Sequence, residues 1–202
     1  FEYGLHITYK PPQPSQTFFI RTKKILENRK KLIIRDLYGL KIWCFKTAFK
    51  FFKKFAKKNG DIILFASGSR AEIGGNEKVI YDRMVERGLD KKFKFRFDFK
   101  ANITEKKSIP AMIKFVYYLA TSDIILVDDY YPDIYLVDFD KDVKILQVWH
   151  ACGAFKAVGF ERLGKQGAPA FNTKVHKCYT HVPVSSYHSA MHNAEGFAID
   201  ES

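Results

Sequence analysis

Short apolar runs, spaced by stretches of helical length, leave this chain few folds to choose from. "DIILFAS" (61–67), "DIILVDD" (123–129) and the run over 144–149 are apolar at nearly every position. That is the signature of strands covered on both faces. Between the first two lies a helix expected to begin near Asn76, which can N-cap it. Glu77 suits its first turn and Gly88 stands where a C-terminal glycine belongs. "KFKFRFDF" (92–99) alternates charged and aromatic side chains, as a half-exposed strand near a sheet edge does. A second helix is expected over 109–121, a short element around 133–138, a helix after Gly153, a last strand over "KCYTHVPV" (177–184) and a helix after Ser185-Ser186. Strands alternating with helices predict an α/β domain on a Rossmann-like parallel sheet. Ligands bind such sheets beyond the carboxyl ends of the strands. Three polar clusters fall there: "SGSR", "DDYYPD" and "HACG".

The α/β texture occupies residues 59–202. Residues 1–22, with Pro11, Pro12 and Pro14 in polar surroundings, read as a connector. Residues 23–58 are rich in lysine, arginine and aromatics, and "KIWCFKTAFKFFKKFAKK" (41–58) is a basic amphipathic helix. Phe45, Ala48, Phe49, Phe52, Phe55 and Ala56 recur at helical spacing, with Lys46, Lys50, Lys53, Lys54 and Lys57 on the other side. Three roles fit it. Its phenylalanines can enter an anionic lipid interface while the lysines face headgroups. Its lysines can contact nucleic-acid phosphates, although the aromatics form one apolar face and no stacking platform. Or the apolar face can pack on the α/β body.

A formal charge of +12 and a pI near 9.5 call for a polyanionic partner, and 47% hydrophobic residues can supply a real core, so disorder is not the default reading. Three cysteines without a CxxC argue for a reducing compartment, against a disulfide framework and against zinc. No stretch reads as a signal peptide or reaches the roughly 20 apolar residues of a membrane span. Both ends read as cut from a longer protein.

His150, at the mouth of a buried strand beside small residues and Lys156, is the first candidate. An imidazole titrates near neutral pH and can take a proton from a hydroxyl nucleophile. Lys156 could then hold a phosphate oxygen. A structural histidine at a strand end fits the same residues. Cys152 fits small-residue packing better than thiol nucleophilicity. The loop Ser67-Gly68-Ser69-Arg70 with Gly74-Gly75-Asn76 offers hydroxyls, a guanidinium and a helix N-terminus to an anion, but matches neither phosphate-loop nor dinucleotide fingerprints. A plain strand-to-helix connection reads equally well. Asp128, Asp129 and Asp133 could offer oxygen ligands to a divalent cation, or simply be exposed acids at a strand end. His176, His181, His188 and His192 follow no zinc spacing. Neither a metal nor a cofactor is expected.

"VWHACGAFKAVGF", preceded by "SDIILVDDYYP" and followed by "HVPVSSYHSAMHNAEGFAI", resembles the CDP-glycerol glycerophosphotransferase family, the teichoic-acid primases and polymerases. The resemblance covers roughly residues 60–202, with "GGNEKVIYDRMVERGL" fitting the family's first helix. The family's tryptophan-histidine segment, its following lysine and its double serine match Trp149, His150, Lys156 and Ser185-Ser186. It implies the N-terminal half of a GT-B-type fold and transfer of a polyol phosphate from a CDP-linked donor to a hydroxyl, with release of CMP. On that resemblance His150 is the base and Lys156, Ser185 and Ser186 are phosphate or substrate contacts, to which the loop reading adds Ser67, Arg70 and Asn76. The implied partners are a CDP-linked polyol, a lipid-linked polyol-phosphate acceptor and an anionic membrane, but no nucleic acid. The implied place is the cytoplasmic face of the cell membrane, held peripherally by the basic helix. Ala151-Cys152 stands where glycine-threonine is more usual. "HACGAFK" tilts the donor toward CDP-ribitol. The family's second half, with most of the CDP site, is absent from this sequence, so the chain is expected not to complete the reaction alone. The alternative from another class is a basic membrane-binding module, or less readily an RNA-binding one, without chemistry.

Overall fold

The computed structural model describes residues 14–149, 159–162 and 174–197. The chain divides into two compact units, Phe1–Trp43 and Cys44–Ser202. In the first, the described residues belong to helix α1, Pro14–Phe55. Residues 14–22, read from sequence as connector, are therefore helical. Proline at the first helical position costs no hydrogen bond, because the N–H it lacks would have no partner within the helix.

The second unit is built on a four-stranded parallel sheet of order β2-β1-β3-β4: β1 Ile62–Ser67, β2 Lys94–Phe99, β3 Ile124–Val127 and β4 Lys144–Gln147. Every pairing is parallel, with Ile63 opposite Phe95 on one side and Ile124 on the other. β1 is buried along its whole length, which is why its sequence runs apolar without alternation. β2, at the edge, alternates charged and aromatic residues in sequence but not in burial: Phe97 is exposed, while Arg96 and Asp98 are half-buried.

The side-chain period of two divides the core between the faces. Leu64, Ala66, Ile125, Val127 and Ile145 face α3 (Ile109–Thr121), whose Phe115, Val116, Leu119 and Ala120 are buried against them. Ser108 caps α3 by accepting from the Ala111 amide at 3.4 Å, and Pro110 sits in its first turn. On the other face Ile63, Phe65 and Leu126 meet Ile80, Tyr81 and Met84 of α2 (Gly75–Glu86). Gly88, at φ +69°, supplies the left-handed turn that follows α2.

The last turns of α1 complete the first face. Phe45 and Phe49 are only 4% exposed and lie in the core, and Phe52 packs edge-on against Tyr117 at 5.3 Å. The lipid-facing reading of Phe45 and Phe49 is thus corrected: both rings are covered by protein. Burying such rings in the domain is worth about 1.5–3 kcal/mol each. Lys53 is likewise engaged, at 2.7 Å from Asp140. Phe55, with its neighbour Phe51, stays exposed, as do Lys46, Lys50, Lys54 and Lys57. Among the described residues no helix is long and apolar enough to cross a membrane.

The strand expected over 177–184 is reduced to a single bridge between Leu146 and His181. Pro183 has no N–H to continue the ladder. Helix α4, Tyr187–Phe197, follows the double serine as expected. The helix expected after Gly153 falls largely outside the described residues; Gly159–Arg162, which are described, form a short 3-10 turn.

Candidate functional site

The carboxyl ends of β1, β3 and β4 converge on the first turn of α2. After β1 the chain turns sharply: Ser67 is buried and its Oγ accepts from the Ser69 amide at 3.2 Å. Gly68 packs against the next strand's loop, where a Cβ would lie 3.0 Å from the Tyr131 ring and 3.1 Å from the Tyr130 carbonyl oxygen. Arg70 then reaches across to β3, donating from Nε to Asp128 Oδ2 at 2.9 Å. Its guanidinium lies over Gly75, where a Cβ would meet Nη2 at 2.9 Å and where φ is +55°. A side chain at 75 would therefore be strained twice over.

Asn76 does not cap α2. The N-cap is Gly74, without any side-chain bond. The Asn76 amide instead donates to the carbonyls of Val148 (3.0 Å) and Trp149 (2.7 Å), the residues that leave β4. Glu77 is fully buried, with Oε1 accepting from the Ala66 amide of β1 at 3.2 Å. Burial, reinforced by the nearby Asp128 charge, raises its pKa to about 8, so it is protonated at neutral pH. Three neighbouring groups thus tie three strand ends: Glu77 holds β1, Arg70 holds β3 and Asn76 holds β4.

The remaining acids find separate partners. Asp133 pairs with buried Lys100 at 2.8 Å, and the Lys100 ammonium also lies over the Tyr131 ring. Asp129 Oδ1 accepts from the Tyr130 amide. Asp98 takes Lys107 and the Tyr131 hydroxyl, both at 2.6 Å. The reading of Asp128, Asp129 and Asp133 as one cation site is not supported, and among the described residues no His, Cys, Asp and Glu group has the geometry to hold a metal ion.

The histidines part company as well. His176 is buried in an aromatic cluster with Tyr135, Tyr179 and Phe197, and burial lowers its pKa to about 4. His181 is exposed, its Nδ1 2.9 Å from Thr180 Oγ1. The side chains of His188 and His192 lie outside what the structure describes, as do residues His150, Cys152 and Lys156. Ser186 caps α4, its Oγ accepting from the Ser189 amide at 3.2 Å, while Ser185 is exposed. A separate cavity of about 390 Å³, lined by Tyr135, Asp138, Asp140, Lys174 and Cys178, holds none of the predicted phosphate contacts. Burial pushes the Cys178 thiol up to about 12, which leaves it a poor nucleophile.

Sequence reasoning assigned Glu77 only to the first turn of α2. The signal of its burial was present: Glu77 shares a stripe with Ile80, Tyr81 and Met84 at helical spacing, and that stripe faces the sheet.

Comparison with known proteins places these features. The model of the CDP-glycerol:poly(glycerophosphate) glycerophosphotransferase family matches residues 48–202. The teichoic acid ribitol-phosphate polymerase TarL of Staphylococcus aureus is 38% identical over 99% of the chain and 35% of its own length. The teichoic acid poly(ribitol-phosphate) polymerase of Bacillus spizizenii is 39% identical over 77% of the chain and 25% of its own length. The chain thus spans about a quarter to a third of these relatives. A wall teichoic acid polymerase TagF structure, of a variant soaked with CDPG, superposes with a TM-score of 0.57 over 88% of this chain and 47% of that one, at 14% identity. That likeness gives the fold: the Rossmann-like N-terminal half of a GT-B-type architecture.

Proposed function

The chain belongs to the CDP-glycerol:poly(glycerophosphate) glycerophosphotransferase family, and from that premise we propose that it is the N-terminal part of an enzyme transferring ribitol phosphate from CDP-ribitol to a teichoic-acid-type acceptor. The observation that carries this reading is the match of nearly the whole chain to a ribitol-phosphate polymerase. The "HACGAFK" form of the histidine segment favours ribitol over glycerol in the same direction.

In the proposed reaction an acceptor hydroxyl attacks the polyol-bearing phosphorus of the donor. His150 takes the hydroxyl proton as the new O–P bond forms, and the anhydride O–P bond breaks to release CMP. Lys156 offsets charge on the transferring phosphate. Alignment of nucleophile and leaving group supplies much of the rate, and no covalent intermediate is required. The C-terminal end of the sheet, with Ser67 and Arg70 at β1 and the exit of β4 leading to His150, is the acceptor side of the active site.

The same proposal holds the enzyme at the cytoplasmic face of the membrane as a peripheral protein. Support comes from the exposed rings of Phe51 (56%) and Phe55 (65%), 4.9 Å apart beside the exposed Lys50, Lys54 and Lys57. Apolar rings set among lysines suit an anionic lipid surface.

The test uses the full-length enzyme in detergent or membrane, with a lipid-linked polyol-phosphate acceptor, offered CDP-ribitol and CDP-glycerol separately. CMP release with CDP-ribitol is the expected result. Release with CDP-glycerol alone would transfer the assignment to the other donor, and no release with either would remove it.

A further inference from the structure

We propose that Asn76 is a positioning residue for the reaction, acting through the backbone that leads into His150. The proposal rests on the catalytic reading of His150 given above.

The argument begins where the β4 ladder ends. Val148 still donates to the Val127 carbonyl at 2.8 Å, the last rung between β3 and the chain leaving β4. Beyond that rung the sheet no longer directs the backbone. Asn76 takes over, because its single amide nitrogen carries two hydrogens and stands 3.0 and 2.7 Å from two successive carbonyl oxygens. One bond would leave the chain free to pivot. Two bonds to adjacent peptides fix the direction in which it departs, and His150 is the next residue.

Asn76 can serve as a fixed reference because its own backbone is held. It lies in the first turn of α2, closed by the Lys78 amide donating to Gly74 at 3.2 Å. Its neighbour Glu77 anchors the same turn to the Ala66 amide. Arg70, bonded to Asp128, lies against Gly75 on the other side. The Val148 and Trp149 carbonyls are thereby registered against β1 and β3. A helix cap at Asn76 would have used its oxygen. The structure uses its nitrogen, toward a partner more than seventy residues away in sequence.

Chemistry restricts the position closely. Aspartate has the same shape but no donors, and its carboxylate would face two carbonyl oxygens. Serine keeps one donor on a shorter arm. Neither should unfold α2, since both residue types suit a helix's first turn.

The experiment compares the full-length wild-type enzyme with Asn76→Asp, Asn76→Ser, His150→Ala and the Asn76→Asp/His150→Ala double variant. CMP release and the thermal unfolding midpoint are measured for each. Asn76→Asp is expected to lower kcat about 100-fold, the scale of a small misplacement. KM for the CDP donor should stay within about two-fold and the midpoint should stay unchanged, with Asn76→Ser between. In the His150→Ala background Asn76→Asp should cause no further loss. Near-normal turnover of Asn76→Asp beside an inactive His150→Ala would overturn the positioning role and leave the catalytic reading intact. So would an equal loss in both backgrounds, which is the mark of general structural damage. Full turnover by His150→Ala would instead overturn the catalytic reading, and this proposal with it.

Discussion

Among the described residues, two buried polar clusters are built on opposite principles. At the first turn of α2, Glu77, Asp128 and Arg70 bring ionisable groups to the strand ends. There Glu77 Oε2, like Gln147 Oε1 in the other cluster, has no hydrogen-bond partner among the described residues. At the other, Tyr135, Tyr179, His176 and Gln147 bond one another inside an aromatic shell. The two tyrosine hydroxyls are paired, the His176 Nδ1 is 3.3 Å from Tyr179 and the Gln147 amide is 3.0 Å from it. Burial raises the tyrosines well above their ordinary range and lowers His176, so this cluster is neutral throughout at physiological pH. A carboxyl kept buried costs stability that packing alone would not demand, which is the usual mark of a functional neighbourhood.

Exchanging histidines breaks the comparison most sharply. In the full-length enzyme, His150→Ala should reduce CMP release about 10²–10⁴-fold, the reach of a general base, with the unfolding midpoint retained. His176→Ala should do the reverse: a midpoint lowered by several degrees, and activity per folded molecule close to wild type. Equal behaviour of the two would dissolve the distinction.

The pH dependence of stability is the next largest effect, with opposite signs. Glu77 binds its proton up to about pH 8 when folded and only to about 4.5 when unfolded. Stability therefore falls as pH rises through that window, by roughly 5 kcal/mol in all. His176 stays neutral when folded down to about pH 4, whereas the unfolded chain takes the proton at about 6.5. Its contribution is lost as pH falls through that window, by roughly 3 kcal/mol. Denaturant titrations from pH 4 to 8.5 should show Glu77→Gln flattening the alkaline limb and His176→Gln the acid limb.

The two clusters also differ in how closely their glycines are packed. Gly159 (φ +49°) approaches the aromatic cluster, and a Cβ there would lie 1.9 Å from the Gly196 carbonyl oxygen of α4. Gly159→Ala should cost about 3 kcal/mol or more, because backbone must move. Gly75→Ala meets only the flexible end of Arg70 and should cost about 1–2 kcal/mol. Urea unfolding of both variants measures the ratio.

The smallest effect tests the amphipathic helix. Phe55→Ser should leave stability within about 0.5 kcal/mol yet weaken binding to anionic vesicles, whereas Phe49→Ala should cost about 3–5 kcal/mol through the cavity it opens. Unchanged vesicle binding by Phe55→Ser would sever the exposed rings from the lipid surface.

These contrasts mark what could be read from sequence. Continuous apolar runs gave β1 and β3, alternation gave the edge position of β2, and the polar clusters fell at strand ends, because all three follow from local periodicity. The covering of Phe45 and Phe49 did not follow. An amphipathic face states that something covers it, and not whether that is lipid or an α/β core. Asn76 misled for a related reason. An asparagine beside a helix start satisfies a local rule, while its two actual partners were brought near only by the crossing from β1 to β4. Pro183, which cannot donate to a ladder, already argues against a strand over 177–184.

That shortened segment carries one more consequence. Thr180 and His181 donate to the Ile145 carbonyl, Gln147 donates to the His181 carbonyl, and Thr180 Oγ1 accepts from the Ile145 amide. A stretch too short to be a strand thus shields the outer rim of β4, the side on which a second chain could add itself. During synthesis that rim stays bare until the ribosome has released residues well beyond β4. The nascent sheet is open to mispairing for that interval, so conditions that slow elongation between the two segments should raise aggregation without altering the finished protein's stability.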